Sequence, residues 1–104
     1  MANLQIAPSK IHGVGIFTKV AIPKGTKMFL VADLNKFEKG GNIMTRFGGL
    51  VNHTKTPNCE FEEDGTSGLV YLRSLKNINK GDELTINYEI LPFPFKSDVK
   101  GYKQ

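Results

Sequence analysis

In several short segments of the chain, apolar and polar residues alternate with a period near two. GIFTKVAI (15–22), TKMFLVADL (26–34), CEFEE (59–63), GLVYLRSL (68–75) and ELTINYEIL (83–91) are rich in Val, Ile, Phe, Tyr and Thr and predict short strands. Glycine and proline recur between them too often for long helices. IPKG (22–25) puts Pro23 at a turn start, where φ near about −65° fits, and Gly25 where φ turns positive; NKGDE (79–83) offers Asn79 and Gly81 for a second turn. The one helical candidate, DLNKFEKGGNIM (33–44), is interrupted by Gly40 and Gly41, so one or two turns at most are expected there. The pattern predicts a compact, mostly β domain over 1–95, with a polar tail, KSDVKGYKQ, over 96–104.

Composition narrows the classes. A chain of 104 residues is the size of one domain. No apolar run approaches the roughly 18 residues of a membrane helix, and MANLQIAPSK lacks the charged start and apolar stretch of a secretory leader, so a soluble, unprocessed, intracellular protein without a membrane partner is expected. One cysteine rules out an internal disulfide, and with two widely separated histidines it forms no zinc-type array. The net charge of +4 is uneven: residues 1–55 hold eight Lys/Arg against two Asp/Glu, and residues 56–104 hold six against eight. The basic front half is compatible with an approach to phosphate, but no regular basic stripe or aromatic ladder marks a dedicated nucleic-acid reader.

One stretch breaks the strand pattern. GLVNHTKTPNCEF (49–61) gathers Asn52, His53, Pro57, Asn58 and the single Cys59 with little apolar content, as a polar loop with a task would. Cys59 itself reads as a small buried residue rather than a nucleophile.

Three segments in this order resemble the SET-domain protein methyltransferases. KIHGVGIFTKVAIPKG (10–25) is similar to that family's opening Gly-x-Gly, strand and Pro-x-Gly turn. NHTKTPNC (52–59) has the spacing of its Asn-His-x-x-x-Pro-Asn-Cys loop, and LKNINKGDELTINYE (75–89) is similar to its closing segment. The resemblance implies a β-clip fold of small curved sheets with a C-terminal pseudoknot and little helix. It implies transfer of a methyl group from S-adenosylmethionine to a lysine side chain, with a histone-like basic peptide as the leading substrate. Gly13, Val14, Gly15, Asn52 and His53 would then meet the cofactor, and Tyr88 would be the catalytic residue. With an ordinary pKa near about 10, Tyr88 suits orientation and electrostatic support better than general-base work. Tyr71, Ile86, Phe93 and Phe95 are candidates for the substrate-lysine channel, where desolvation would favour the neutral amine.

The chain also departs from that family. Thr54 and Lys55 stand where relatives commonly carry Ser-Cys, and Gly49 where an arginine is frequent. No clear Tyr-x-Gly motif lies in 30–50, and no cysteine cluster follows Tyr88, so neither a metal nor the zinc-binding tail of many relatives is expected. Ile86 stands where relatives often have Phe or Tyr. In its shortness the chain resembles the stand-alone SET proteins of viruses and microbes, for which a homodimer, a nucleosomal DNA contact and a nuclear or host-nuclear location are natural extensions. Two other readings stay open: an interaction module of the SAF type, resembled by VAIPKGTKMFLVADL (20–34) alone, and a SET protein that binds without turnover.

Overall fold

The computed structural model describes residues 3–36 and 44–90. Phe93 and Phe95, the tail and most of the helical candidate lie outside these residues. Within them the chain is built from seven short strands in three small sheets.

The first sheet is a hairpin of β1 (Leu4–Pro8) and β2 (Val14–Thr18), antiparallel from Leu4 opposite Thr18 to Pro8 opposite Val14. β2 was expected from its pattern; β1 was not, because LQIAP ends in proline and is only half-buried. β2 stops earlier than GIFTKVAI suggests. The Thr18 hydroxyl donates to the Val20 carbonyl at 2.5 Å and accepts from the Val20 N–H at 3.1 Å, which turns the backbone out of the ladder.

The second sheet has the order β3, β6, β5, all antiparallel, with β3 over Lys27–Asp33, β5 over Cys59–Glu63 and β6 over Leu69–Ser74. Its inner face carries Val70, Leu72, Ser74 and Cys59 into the core. Its outer face carries Tyr71 opposite Glu62 and Arg73 opposite Glu60. There Arg73 pairs with Glu62 at 2.6 Å, and Lys27 lies 4.7 Å over the Tyr71 ring and 3.7 Å from Asp64.

The third sheet is the smallest and joins the most distant segments. β4 (Asn52–His53) runs parallel to β7 (Thr85–Ile86), with Asn52 opposite Thr85 and His53 opposite Ile86. The loop expected at 49–61 thus contributes a strand, and the strand expected over 83–91 is cut to two residues before a 3-10 turn at Tyr88–Ile90. A second 3-10 turn, Leu34–Lys36, opens the helical candidate; it begins where the Asp33 carboxylate accepts from the Asn35 N–H at 3.0 Å.

Both predicted turns form, with Gly25 at φ 85 and Gly81 at φ 92, conformations that cost an L residue a steric penalty. They pack on each other through the Ile22–Ile78 bridge. The core of Ile16, Val31, Val51, Leu72, Ile78, Leu84 and Ile86 lies between the sheets and closes around Tyr88.

Candidate active site

The site grows from β4. Asn52 is 1% exposed, and its side-chain N–H groups donate to the His12 carbonyl at 3.1 Å, the Val14 carbonyl at 3.0 Å and Glu83 Oε2 at 2.9 Å. One amide therefore ties the Gly-x-Gly segment to the closing segment. His53, next along β4, accepts the Tyr88 backbone N–H on Nδ1 at 2.9 Å, which leaves its ring proton on Nε2. The two rings lie 5.1 Å apart.

Tyr88 is 1% exposed, and its hydroxyl donates to the Val51 carbonyl at 2.5 Å. Burial, and after it the negative charge of Glu83, pushes the phenol up to about 12. It is therefore protonated at neutral pH. Tyr88 is thus fixed twice from neighbouring residues at the start of β4, at its backbone by His53 and at its hydroxyl by Val51.

Gly13 and Gly15 have different reasons to be glycine. Gly13 has φ 49 and open space where a Cβ would stand. At Gly15 a Cβ would lie 2.1 Å from Glu83 Oε2, so this glycine makes room for a carboxylate of the protein itself. Val14 between them is exposed and turns its carbonyl to Asn52.

The rest of the signature serves the framework. Asn58 donates to the Glu83 carbonyl at 2.8 Å and accepts the Thr85 N–H at 2.9 Å. Cys59 is buried, and desolvation pushes its thiol up to about 12, so it carries no nucleophile.

The structure therefore brings together Gly13, Val14, Gly15, Asn52, His53 and Tyr88, with Ile86 buried one ladder position from them. It does not bring Tyr71. Strand alternation puts that ring on the outer face of the second sheet under Lys27. The acidic run after the signature is also partly neutralised, since Glu62 and Asp64 face Arg73 and Lys27.

Sequence reasoning missed Glu83 and Ser9. The Glu83 carboxylate accepts from the Ser9 hydroxyl at 2.7 and 3.0 Å as well as from Asn52. Its only signal in the sequence is its place in GDELTINY, where it passes for an ordinary polar strand residue. An apolar cavity of about 370 Å³, lined by Leu4, Val20, Ile22, Met28 and Phe29 among others, lies elsewhere and includes none of these side chains. Among the described residues no three His, Cys, Asp or Glu side chains are grouped to hold a metal ion, and no helix is long and apolar enough to cross a membrane.

Comparison with known proteins agrees with this geometry. No curated protein matches the chain in sequence. Among solved structures, a Plasmodium falciparum chain described as a "putative histone methyltransferase" superposes with a TM-score of 0.60 at 25% identity, covering 83% of this chain and 92% of that one. The SET domain model matches residues 31–89, which include NHTKTPNC and ELTINY but not the Gly-x-Gly segment. That segment joins the site through the bonds of Asn52 and Glu83. With more than half its length inside the match, the chain belongs to the SET-domain family.

Proposed function

We propose that this chain is a protein-lysine methyltransferase using S-adenosylmethionine, with a histone-like basic peptide as its leading substrate. The observation that carries the reading is the convergence of the Gly-x-Gly segment, Asn52, His53 and Tyr88 by direct hydrogen bonds from three separate parts of the chain.

The residues fit such a cofactor. The exposed Gly13–Val14 backbone, with open space where a Cβ of residue 13 would stand, allows close approach of a ligand. When bound, the cofactor supplies a methyl carbon activated by positive sulfur.

The chain's own task is then positional. An in-line displacement gains on the order of 7 kcal/mol or more when both reactants are held in line. Tyr88, its proton committed to Val51, offers its oxygen as an acceptor beside the reacting centre and is held there by His53. The lysine must arrive neutral, which the apolar surroundings of Ile86 and Tyr88 favour. Ile86 adds no hydroxyl that would hold water in the methyl path, so the site is read as able to go beyond one methyl group.

The parallel pairing of β4 and β7 supports the knotted arrangement expected of the family. Homodimerisation, a nucleosomal DNA contact through the basic front half, and a cytoplasmic or nuclear location extend the same reading.

The test is incubation of the purified protein with radiolabelled S-adenosylmethionine and either core histones or a denatured lysate, beside Tyr88→Phe. Label on a band that the variant fails to mark supports the enzyme and gives its substrate class. Cofactor binding with no transfer to either mixture replaces it with a SET protein that binds without turnover. Failure of both points to the SAF-type module.

A further inference from the structure

The Glu83 carboxylate is held from several sides by neutral groups. Ser9 donates at 2.7 and 3.0 Å, Asn52 donates at 2.9 Å, and the missing Cβ of Gly15 leaves it space. Its backbone is fixed too, by the bridge to Phe17 and by the Asn58 amide on its carbonyl. Among the described residues no Lys, Arg or His forms an ion pair with it, whereas Glu62 and Asp64 on the outer sheet face each have a cation. Neutral donors orient a carboxylate without cancelling its charge. A half-buried anion is thus held in place and left uncompensated, between the Gly-x-Gly segment, Asn52 and Tyr88. Its field reaches the Tyr88 hydroxyl, where it opposes ionisation.

We propose that Glu83 is the fixed anion of the cofactor site and biases binding toward S-adenosylmethionine over the spent product, S-adenosylhomocysteine. The inference rests on the cofactor reading above. In the transfer the sulfur–methyl bond breaks and its electron pair stays on sulfur, which becomes a neutral thioether. The lysine nitrogen uses its lone pair to form the new carbon–nitrogen bond, and water takes its proton. A fixed negative charge therefore holds the charged donor and loosens its grip once the sulfur is neutral. At a separation of several ångströms and an effective dielectric between protein and water, one such charge changes the ratio of affinities by roughly tenfold.

Glu83→Gln separates charge from scaffold. A glutamine keeps an acceptor for Asn52 and a donor for the Ser9 oxygen, and removes only the charge. Calorimetric titration of the full chain with each compound gives the expected result if the ratio of affinities shifts by about tenfold against S-adenosylmethionine in the variant, with S-adenosylhomocysteine changed by less than about threefold. Equal weakening of both compounds in a variant that melts like the wild type overturns the inference and makes Glu83 a latch. Ser9→Ala, which keeps the charge and removes a donor, is expected to leave the ratio intact.

The wild type alone also reads the effect. Between about 20 mM and 0.5 M salt, S-adenosylmethionine should weaken more than S-adenosylhomocysteine, because screening acts on the charge. Parallel salt curves overturn the inference, and a wild type that binds neither compound overturns the cofactor reading beneath it.

Discussion

Asn58 and Thr85 are joined much as two strands would be, with the Asn58 side-chain amide standing in for a peptide group. The Asn58 Oδ1 accepts the Thr85 N–H at 2.9 Å and its hydroxyl at 3.3 Å, while Asn58 Nδ2 donates to the neighbouring Glu83 carbonyl at 2.8 Å. The amide supplies the donor and acceptor that a paired backbone would otherwise provide, directly before β7. Asn58→Ala leaves both backbone groups unpaired in a half-buried setting, at a cost of about 2–4 kcal/mol. In a domain of this size each kcal/mol moves the melting temperature by roughly 4–8 °C. Thermal denaturation followed by circular dichroism should show a fall of at least about 8 °C for Asn58→Ala, and a change within about 0.5 kcal/mol for the exposed Lys55→Ala.

Gly13 and Gly15 make a second prediction by their difference. Alanine at 13 meets open space but must adopt φ 49, a strain of about 1 kcal/mol. Alanine at 15 would place a methyl 2.1 Å from Glu83 Oε2 and 3.1 Å from Asn52 Nδ2. The carboxylate cannot swing aside without leaving Ser9 and Asn52, so Gly15→Ala should cost about 1–3 kcal/mol and loosen the Gly-x-Gly segment. Paired urea denaturation and calorimetric cofactor titration check this. The expected order is a small stability loss with binding kept at 13, and a larger loss with binding weakened at least about tenfold at 15.

These particulars show what was legible in the sequence. The strands CEFEE and GLVYLRSL, and the turns at Gly25 and Gly81, follow from period and local φ preference, and they form nearly as expected. The two-residue β4 is invisible to any period, because Asn52 and His53 become a strand only when Thr85 and Ile86 arrive from 33 positions away. The same holds for the clash at Gly15, which depends on a carboxylate distant in sequence, and for Gly48, whose Cβ would lie 2.3 Å from the Val31 carbonyl. The sheet face that Tyr71 takes was hidden for a related reason. Alternation in β6 fixes two faces, but the sequence does not say which one meets the core near Tyr88 until the partner strands are known. Motif spacing singled out Asn52, His53 and Tyr88, which the fold places at and against β4; only the packing exposed Glu83.

The two buried titratable groups predict alkaline sensitivity. Cys59 rises from an ordinary 9.0 to about 12 by burial, and Tyr88 rises from 10.0 to about 12 by burial and by the charge of Glu83. The unfolded chain releases these protons first, so above pH 9 it binds fewer protons than the folded chain and stability falls as pH rises. The stabilisation is fully present below about pH 9 and is lost progressively toward pH 12, by a few kcal/mol for each group. Urea midpoints should be flat through neutral pH and drop beyond about pH 9, and Cys59→Ala should delay the onset toward about pH 10, where Tyr88 begins to act.

Tyr88→Phe gives the sharpest separation of framework from chemistry. The variant removes one hydrogen bond to the Val51 carbonyl and leaves the backbone bond to His53 in place, so the fold should lose only about 1–2 kcal/mol. The cofactor contacts proposed for Asn52 and the Gly-x-Gly segment are untouched, so cofactor affinity should stay within about threefold. On the proposed function, loss of the phenol dipole should lower the transfer step itself, by roughly 100-fold or more. With its phenol pushed up to about 12, Tyr88 is not the proton acceptor. The single-turnover rate should therefore climb with pH as the lysine ammonium is lost, and climb with the same slope in Tyr88→Phe, only displaced downward. A slope that flattens in the variant alone would make the phenol a base after all and would overturn its assignment as an orienting dipole.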